Sequence, residues 1–113
     1  MVFMYPNHLS EGALPPEQVR LLDVKVEPWP DGLRIKVLIQ LTPFLKPPNL
    51  EVWVENIQGE QVARVDIIET NTSKLIFTMH LKGQQHGGQY TLFSKVYYPD
   101  LESCDSNRLV FQL

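Results

Sequence analysis

The chain has 113 residues, 43% apolar and 20% charged, with a formal net charge of −3. That length fits one domain, whose folding removes roughly two-thirds of the unfolded chain's surface from water, enough for one core. The small acidic excess and the lack of any Lys or Arg run exclude a phosphate-backbone binder, and the single cysteine, Cys104, excludes an intrachain disulfide framework and a thiolate zinc site.

No apolar segment approaches the roughly 20 residues that span a bilayer. The start, "MVFMYPNHLSEG", has no basic n-region and too short an apolar stretch for a signal peptide. A small domain that manages without disulfides suits a reducing compartment. A cytoplasmic protein with no membrane partner is expected.

Residues 1–17, "MVFMYPNHLSEGALPPE", carry three prolines and no sustained period. They read as an irregular arm ahead of one β domain over 18–113. From Val19 onward the period is two. "LLDVKVEP" places Leu22, Val24 and Val26 on one face and Asp23, Lys25 and Glu27 on the other, a half-buried strand. It stops at "PWPDG", where prolines cannot donate to a ladder and Asp31-Gly32 supplies a turn. "LRIKVLIQL" aligns Leu33, Ile35, Val37, Ile39 and Leu41.

"TPFLKPPN" is a proline-rich loop long enough to cross between sheets. "LEVWVEN" sets Leu50, Val52 and Val54 against Glu51, Trp53 and Glu55. After "IQGE", Ala63, Val65 and Ile67 alternate with Val62, Arg64, Asp66 and Ile68. "TNTS" turns the chain into "KLIFTMHLK", with Leu75, Phe77, Met79 and Leu81 on one face. "GQQHGG" follows as a Gly-rich loop, then "QYTLFSKVYY", the loop "PDLESCDSN" and a last strand "RLVFQL". Strands are predicted at about 19–27, 33–41, 50–56, 61–69, 74–82, 89–98 and 108–113. Short strands at this spacing indicate an antiparallel sandwich or barrel.

Seven such strands over residues 18–113 resemble the immunoglobulin-like and fibronectin type III-like β-sandwich. The sharpest local sign is "GGQYTL", which resembles the tyrosine corner that opens the sixth strand. The resemblance implies that Tyr90 points inward with its hydroxyl on upstream backbone, and that Leu92 stands where antibody domains place their second cysteine. The first cysteine would fall near Val37, so an aliphatic pair replaces the disulfide. Antibody domains also bury a tryptophan on the third strand, whereas Trp53 alternates outward, which leans toward the fibronectin-like branch. The expected fold is a seven-stranded antiparallel sandwich. Its expected core is Leu22, Val24, Ile35, Val37, Ile39, Val52, Val54, Phe77, Met79, Tyr90, Leu92 and Phe111. The fold hosts many unrelated functions and implies no activity.

With Tyr90 and Leu92 inward, Val96 and Tyr98 follow them, and Phe93, Lys95 and Tyr97 face out. The resemblance makes the third, sixth and seventh strands neighbours, so Trp53, Phe93, Tyr97, Val110 and Gln112 would share one outer face. Three large rings together there would form an exposed apolar patch of the kind that marks a contact surface. The competing readings are ordinary cross-strand pairs, worth roughly 0.2–1 kcal/mol each, and cover by Val2, Phe3, Met4 and Tyr5 of the arm.

Chemistry finds less support. His8, His80 and His86 have no metal-ligand spacing. Cys104 is followed by "DSNRL", without the His and Met of a blue-copper site, and nothing activates it as a nucleophile. Asp100, Glu102 and Asp105 are oxygen ligands of the calcium type but lack the loop pattern. "NTS" at Asn71 reads as a turn rather than a glycosylation acceptor. The sequence therefore points to a non-catalytic binding or assembly module with no cofactor. It would use the aromatic face for self-association or for a protein partner, with no nucleic acid. The alternative is a carbohydrate-binding module using the same rings. A last strand at the sheet edge could also add to a partner's sheet.

Overall fold

Strict alternation in "RIKVLIQL" and "LEVWVE" buries one side of each segment and leaves the other wet, and the computed structural model, which describes residues 12–83, 88–101 and 105–113, pairs these segments into sheets. A 3-10 turn at Pro16–Gln18 precedes β1 (Leu21–Pro28), β2 (Arg34–Leu41), β3 (Asn49–Glu55), β4 (Gln61–Ile67), β5 (Lys74–His80), β6 (Gln89–Tyr97) and β7 (Asp105–Gln112). All pairings are antiparallel, in a three-stranded sheet ordered β1-β2-β5 and a four-stranded sheet ordered β4-β3-β6-β7. The architecture is all-β and sandwich-like.

The core lies between the inner faces. β2 supplies Ile35, Val37, Ile39 and Leu41; β3 supplies Leu50, Val52 and Val54; β6 supplies Tyr90, Leu92 and Val96, and all of these are buried. Burying each such side chain stabilises the fold by about 1.5–3 kcal/mol before chain entropy is charged against it. Tyr90 stacks on Phe111 with ring centroids 5.8 Å apart. Tyr98, also inward, donates its hydroxyl to the Lys46 carbonyl at 2.7 Å, and burial raises its pKa. Val24 and Phe77 reach the core only half-buried.

Three expectations fail for local backbone reasons. Leu22 is not core: it is 58% exposed. The β1–β2 ladder steps from Leu21↔Leu41 to Asp23↔Gln40, so Leu22 is the extra residue of a bulge, and Leu21 packs inward in its place. Val62 is 8% exposed, not outward with Arg64. It is bulged where Val54↔Ala63 gives way to Glu55↔Gln61. Leu33 is 45% exposed because it sits on the hairpin tip before β2 begins.

That tip is built from its own residues. Gly32 has φ +70°, which a side chain would strain. Asp31 accepts from the Leu33 N–H at 2.9 Å and from Arg34 Nε at 2.9 Å. The Leu33 bond first, then the neighbouring Arg34, holds the Asp31 carboxyl below its ordinary value of 3.8. The Arg34 guanidinium lies 4.0 Å from the Trp29 ring centroid. Pro28 closes β1 without an N–H, which an edge strand tolerates.

The crossover from β4 to β5 is pinned by buried polar groups. Asn49 Oδ1 accepts from the Glu69 N–H at 2.7 Å, and Glu69 itself has φ 50°. The Thr70 N–H donates to the Pro48 carbonyl at 3.0 Å. At the other corner β7 begins earlier than the predicted residue 108. Asp105 Oδ2 accepts from the Leu21 N–H at 2.8 Å, tying the edge of one sheet to the edge of the other. Within the arm, Leu14 bridges Phe44 in parallel, its N–H on the Pro43 carbonyl at 3.0 Å. The expected covering residues 2–5 lie outside the described residues.

Candidate functional site

The outer face of the four-stranded sheet follows from register. One rung crosses all four strands: Arg64 of β4 opposite Trp53 of β3, Trp53 opposite Phe93 of β6, and Phe93 opposite Arg108 of β7. Side chains directly opposite on one face stand about 5 Å apart, so these four touch in sequence. Trp53 and Phe93 stack with centroids 5.1 Å apart and planes 12° from parallel. The Arg64 guanidinium lies 5.6 Å from the Trp53 centroid, and that of Arg108 lies 5.9 Å from the Phe93 centroid. The result is a cation–ring–ring–cation stack standing on the sheet, rings half-buried with their edges toward solvent. The offset ring pair stabilises by about 0.5–1.5 kcal/mol, and each exposed cation–ring contact by about 0.5–1 kcal/mol.

Polar groups fix the β3–β4 end of this stack. The Trp53 indole N–H donates to Glu55 Oε2 at 3.1 Å. Arg64 pairs with Asp66 at 3.1 Å and with Glu51 at 3.3 Å. The hydrogen bond to Asp66, reinforced by both carboxylate charges, raises the Arg64 pKa above its ordinary value. On the next rung Glu51 also meets Lys95 Nζ at 3.9 Å.

Of the residues expected to share this face, Trp53 and Phe93 stack directly. Tyr97 does not join them. It pairs with Asn49, two rungs away along β6, about 13 Å by strand rise, with the Lys95 ammonium 5.4 Å from its ring centroid. The expected cluster of three rings is therefore two rings and an outlier, split by the charged Glu51–Lys95 rung. Val110 is opposite Thr91 and 49% exposed, and Gln112 is opposite Gln89, exposed at the end of β7. Both flank the stack without entering it.

Sequence reasoning missed Arg64 and Arg108 as members of the site. Alternation alone faced Arg64 outward, but which residue meets which ring depends on strand order and register. A shallow depression of about 440 Å³ lies beside the stack, lined by Trp53, Phe93, Lys95, Ser106, Asn107 and Arg108.

Elsewhere the candidate ligands are dispersed. Among the described residues no three His, Cys, Asp or Glu side chains gather as for a metal ion. Asp105 is engaged at the sheet seam, Asp100 pairs with Lys46 at 3.7 Å, and His80 is exposed at the end of β5. His8, His86, Glu102 and Cys104 lie outside the described residues. Among the described residues no helix is long and apolar enough to cross a membrane. Compared with known proteins, the chain matches no protein-family model and no curated protein sequence.

Proposed function

We propose that the chain is a non-catalytic binding or assembly module whose four-stranded sheet presents the Arg64–Trp53–Phe93–Arg108 stack to another protein chain, a second copy included. The observation that carries this reading is the stack itself: two half-exposed rings, ordered by neighbours, with arginines at both ends. Trp, Tyr and Arg are the side chains enriched at the centres of protein interfaces, the rings because they bring large area at low entropic cost and Arg because its planar fork makes several directed hydrogen bonds. The immunoglobulin-like or fibronectin type III-like assignment belongs to the same proposal. Strand β4 joins β3, β6 and β7 rather than the sheet of β1, β2 and β5, which favours the fibronectin-like side over the antibody constant-domain arrangement.

The carbohydrate alternative is weaker on geometric grounds. A sugar platform needs a free ring face. Here Trp53 has Phe93 on one face and Arg64 on the other, and Phe93 lies between Trp53 and Arg108. Only edges are offered.

The test is solution mass by light scattering over a range of concentrations, for wild type and for Trp53→Ala combined with Tyr97→Ala. A wild-type dimer that the substitutions make monomeric, with the melting temperature retained, supports the contact face. A wild-type dimer that survives both substitutions places the contact elsewhere and removes the reading. A wild-type monomer removes self-association and leaves a different protein as the partner.

A further inference from the structure

The contact face is electrostatically lopsided, and the imbalance names a partner chemistry. On the β4–β3 side the donors are answered by carboxylates: Arg64 by Asp66 and Glu51, and the Trp53 N–H by Glu55. On the β6–β7 side the guanidinium of Arg108 meets only the ring of Phe93, with no carboxylate partner among the described residues. Lys95 rests near the Tyr97 ring, and its carboxylate partner among the described residues is the far oxygen of Glu51, at 3.9 Å, a group already shared with Arg64. The depression between these two cations is lined by rings, Ser106 and Asn107, and by no acid. In a chain of net charge −3 this local surplus runs against the overall sign.

Resting on the contact-face reading, the geometry points to an acidic, extended segment of another protein as the occupant of the β6–β7 half. Arg108 is opposite Phe93 and Lys95 is opposite Ser106, so the two cations are diagonal neighbours, with stems about 7 Å apart. An extended segment repeats side chains on one face at nearly that spacing, two residues apart. Two carboxylates at such positions meet Arg108 and Lys95 together, and the planar guanidinium holds its carboxylate through paired hydrogen bonds. The edges of Trp53 and Phe93 then receive an apolar neighbour from the same segment. β7 is an edge strand, so such a segment can approach from its open side. A symmetric pairing of two copies through this half would set cation against cation, which disfavours a second copy as its occupant.

The experiment uses fluorescence anisotropy with a fluorescein-labelled peptide of alternating valine and glutamate and a matched peptide of valine and lysine. The proteins are wild type, Arg108→Gln, Lys95→Gln, Trp53→Ala and, as a control on the other sheet, Lys36→Gln. The expected result is saturable binding of the acidic peptide alone below about 1 mM, weakened about fivefold or more by R108Q and by K95Q and unchanged by K36Q. Equal binding of both peptides, no binding of either, or an R108Q protein that binds as wild type overturns the proposal. A short DNA duplex that binds as tightly as the acidic peptide also overturns it, since charge alone would then suffice. If W53A disrupts a dimer while R108Q and K95Q change nothing, the contact face stands and the acidic partner falls.

Discussion

Ser94 occupies the middle of β6, 1% exposed, and its hydroxyl has no hydrogen-bond partner among the described residues. It sits inward between Leu92 and Val96, opposite Val52 on β3 and Asn107 on β7. A buried hydroxyl without a partner costs about 1–3 kcal/mol of stability. Ser94→Ala removes that cost and leaves a void of about one oxygen atom. At about 24 cal/mol per Å³ the void takes back a few tenths of a kcal/mol. The net expectation is a gain of about 1 kcal/mol. With about 2.1 cal/mol/K of unfolding entropy per residue over 113 residues, that gain raises the melting temperature by about 4 °C. Urea unfolding followed by tryptophan fluorescence, together with calorimetry, reads both quantities. Ser94→Val serves as the counterpart: one methyl replaces the hydroxyl and a second is added to a packed core, which should cost about 1–3 kcal/mol. A loss of more than about 0.5 kcal/mol in S94A refutes the reasoning, because it means the hydroxyl has a partner in solution.

The other predictions concern the seams and the hairpin tip. Asp105→Ala strands the Leu21 N–H at the junction of the sheets and should cost about 1–2 kcal/mol, with Asp105→Asn recovering much of it in the same urea titration. Tyr98→Phe removes the donor to the Lys46 carbonyl and should cost about 1 kcal/mol while leaving the native spectrum unchanged. Asp31 has a folded-state pKa below its unfolded value, so its contribution is present above the unfolded value near 3.8 and is lost as pH falls through the folded one. Melting temperatures of wild type and Asp31→Asn should therefore differ at pH 6 and converge at strongly acidic pH. A constant difference across that range would show that Asp31 acts through something other than its charge. Leu92→Ala, at a fully buried site on β6, should cost about 2–5 kcal/mol by urea unfolding.

The all-β class, the seven strands and the inward sets of β2, β3 and β6 were legible because alternation with period two survives wherever a strand is straight and half-buried. Val37, Val52 and Leu92 needed no more than that. Leu22 and Val62 were misread because a bulge shifts the phase by one residue, and nothing in "LLDV" or "EQVA" announces one. The start of β7 was misplaced because "DSN" has the composition of a turn, while Asp105 is held by a partner 84 residues away in sequence. The candidate face was half legible. Alternation turned Trp53, Phe93 and Tyr97 outward, but proximity across a sheet is a property of register. Register joined Trp53 to Phe93, sent Tyr97 two rungs off, and brought in two arginines that no local pattern marks.

The bulge at Leu22 and the proline at position 28 also bear on how the molecule can assemble. Together with the exposed Asp23 and Lys25 they leave β1 twisted, interrupted and charged, a poor template for another chain. Strand β7 at the edge of the other sheet carries no proline and no bulge in its ladder with β6. Head-to-tail growth needs a donor edge and an acceptor edge on every copy, and a chain of copies joined β7 to β1 would lack the second. Contacts through β7 therefore do not propagate by way of β1, so the domain can gain a neighbour by strand addition without becoming the first link of a fibre through that edge.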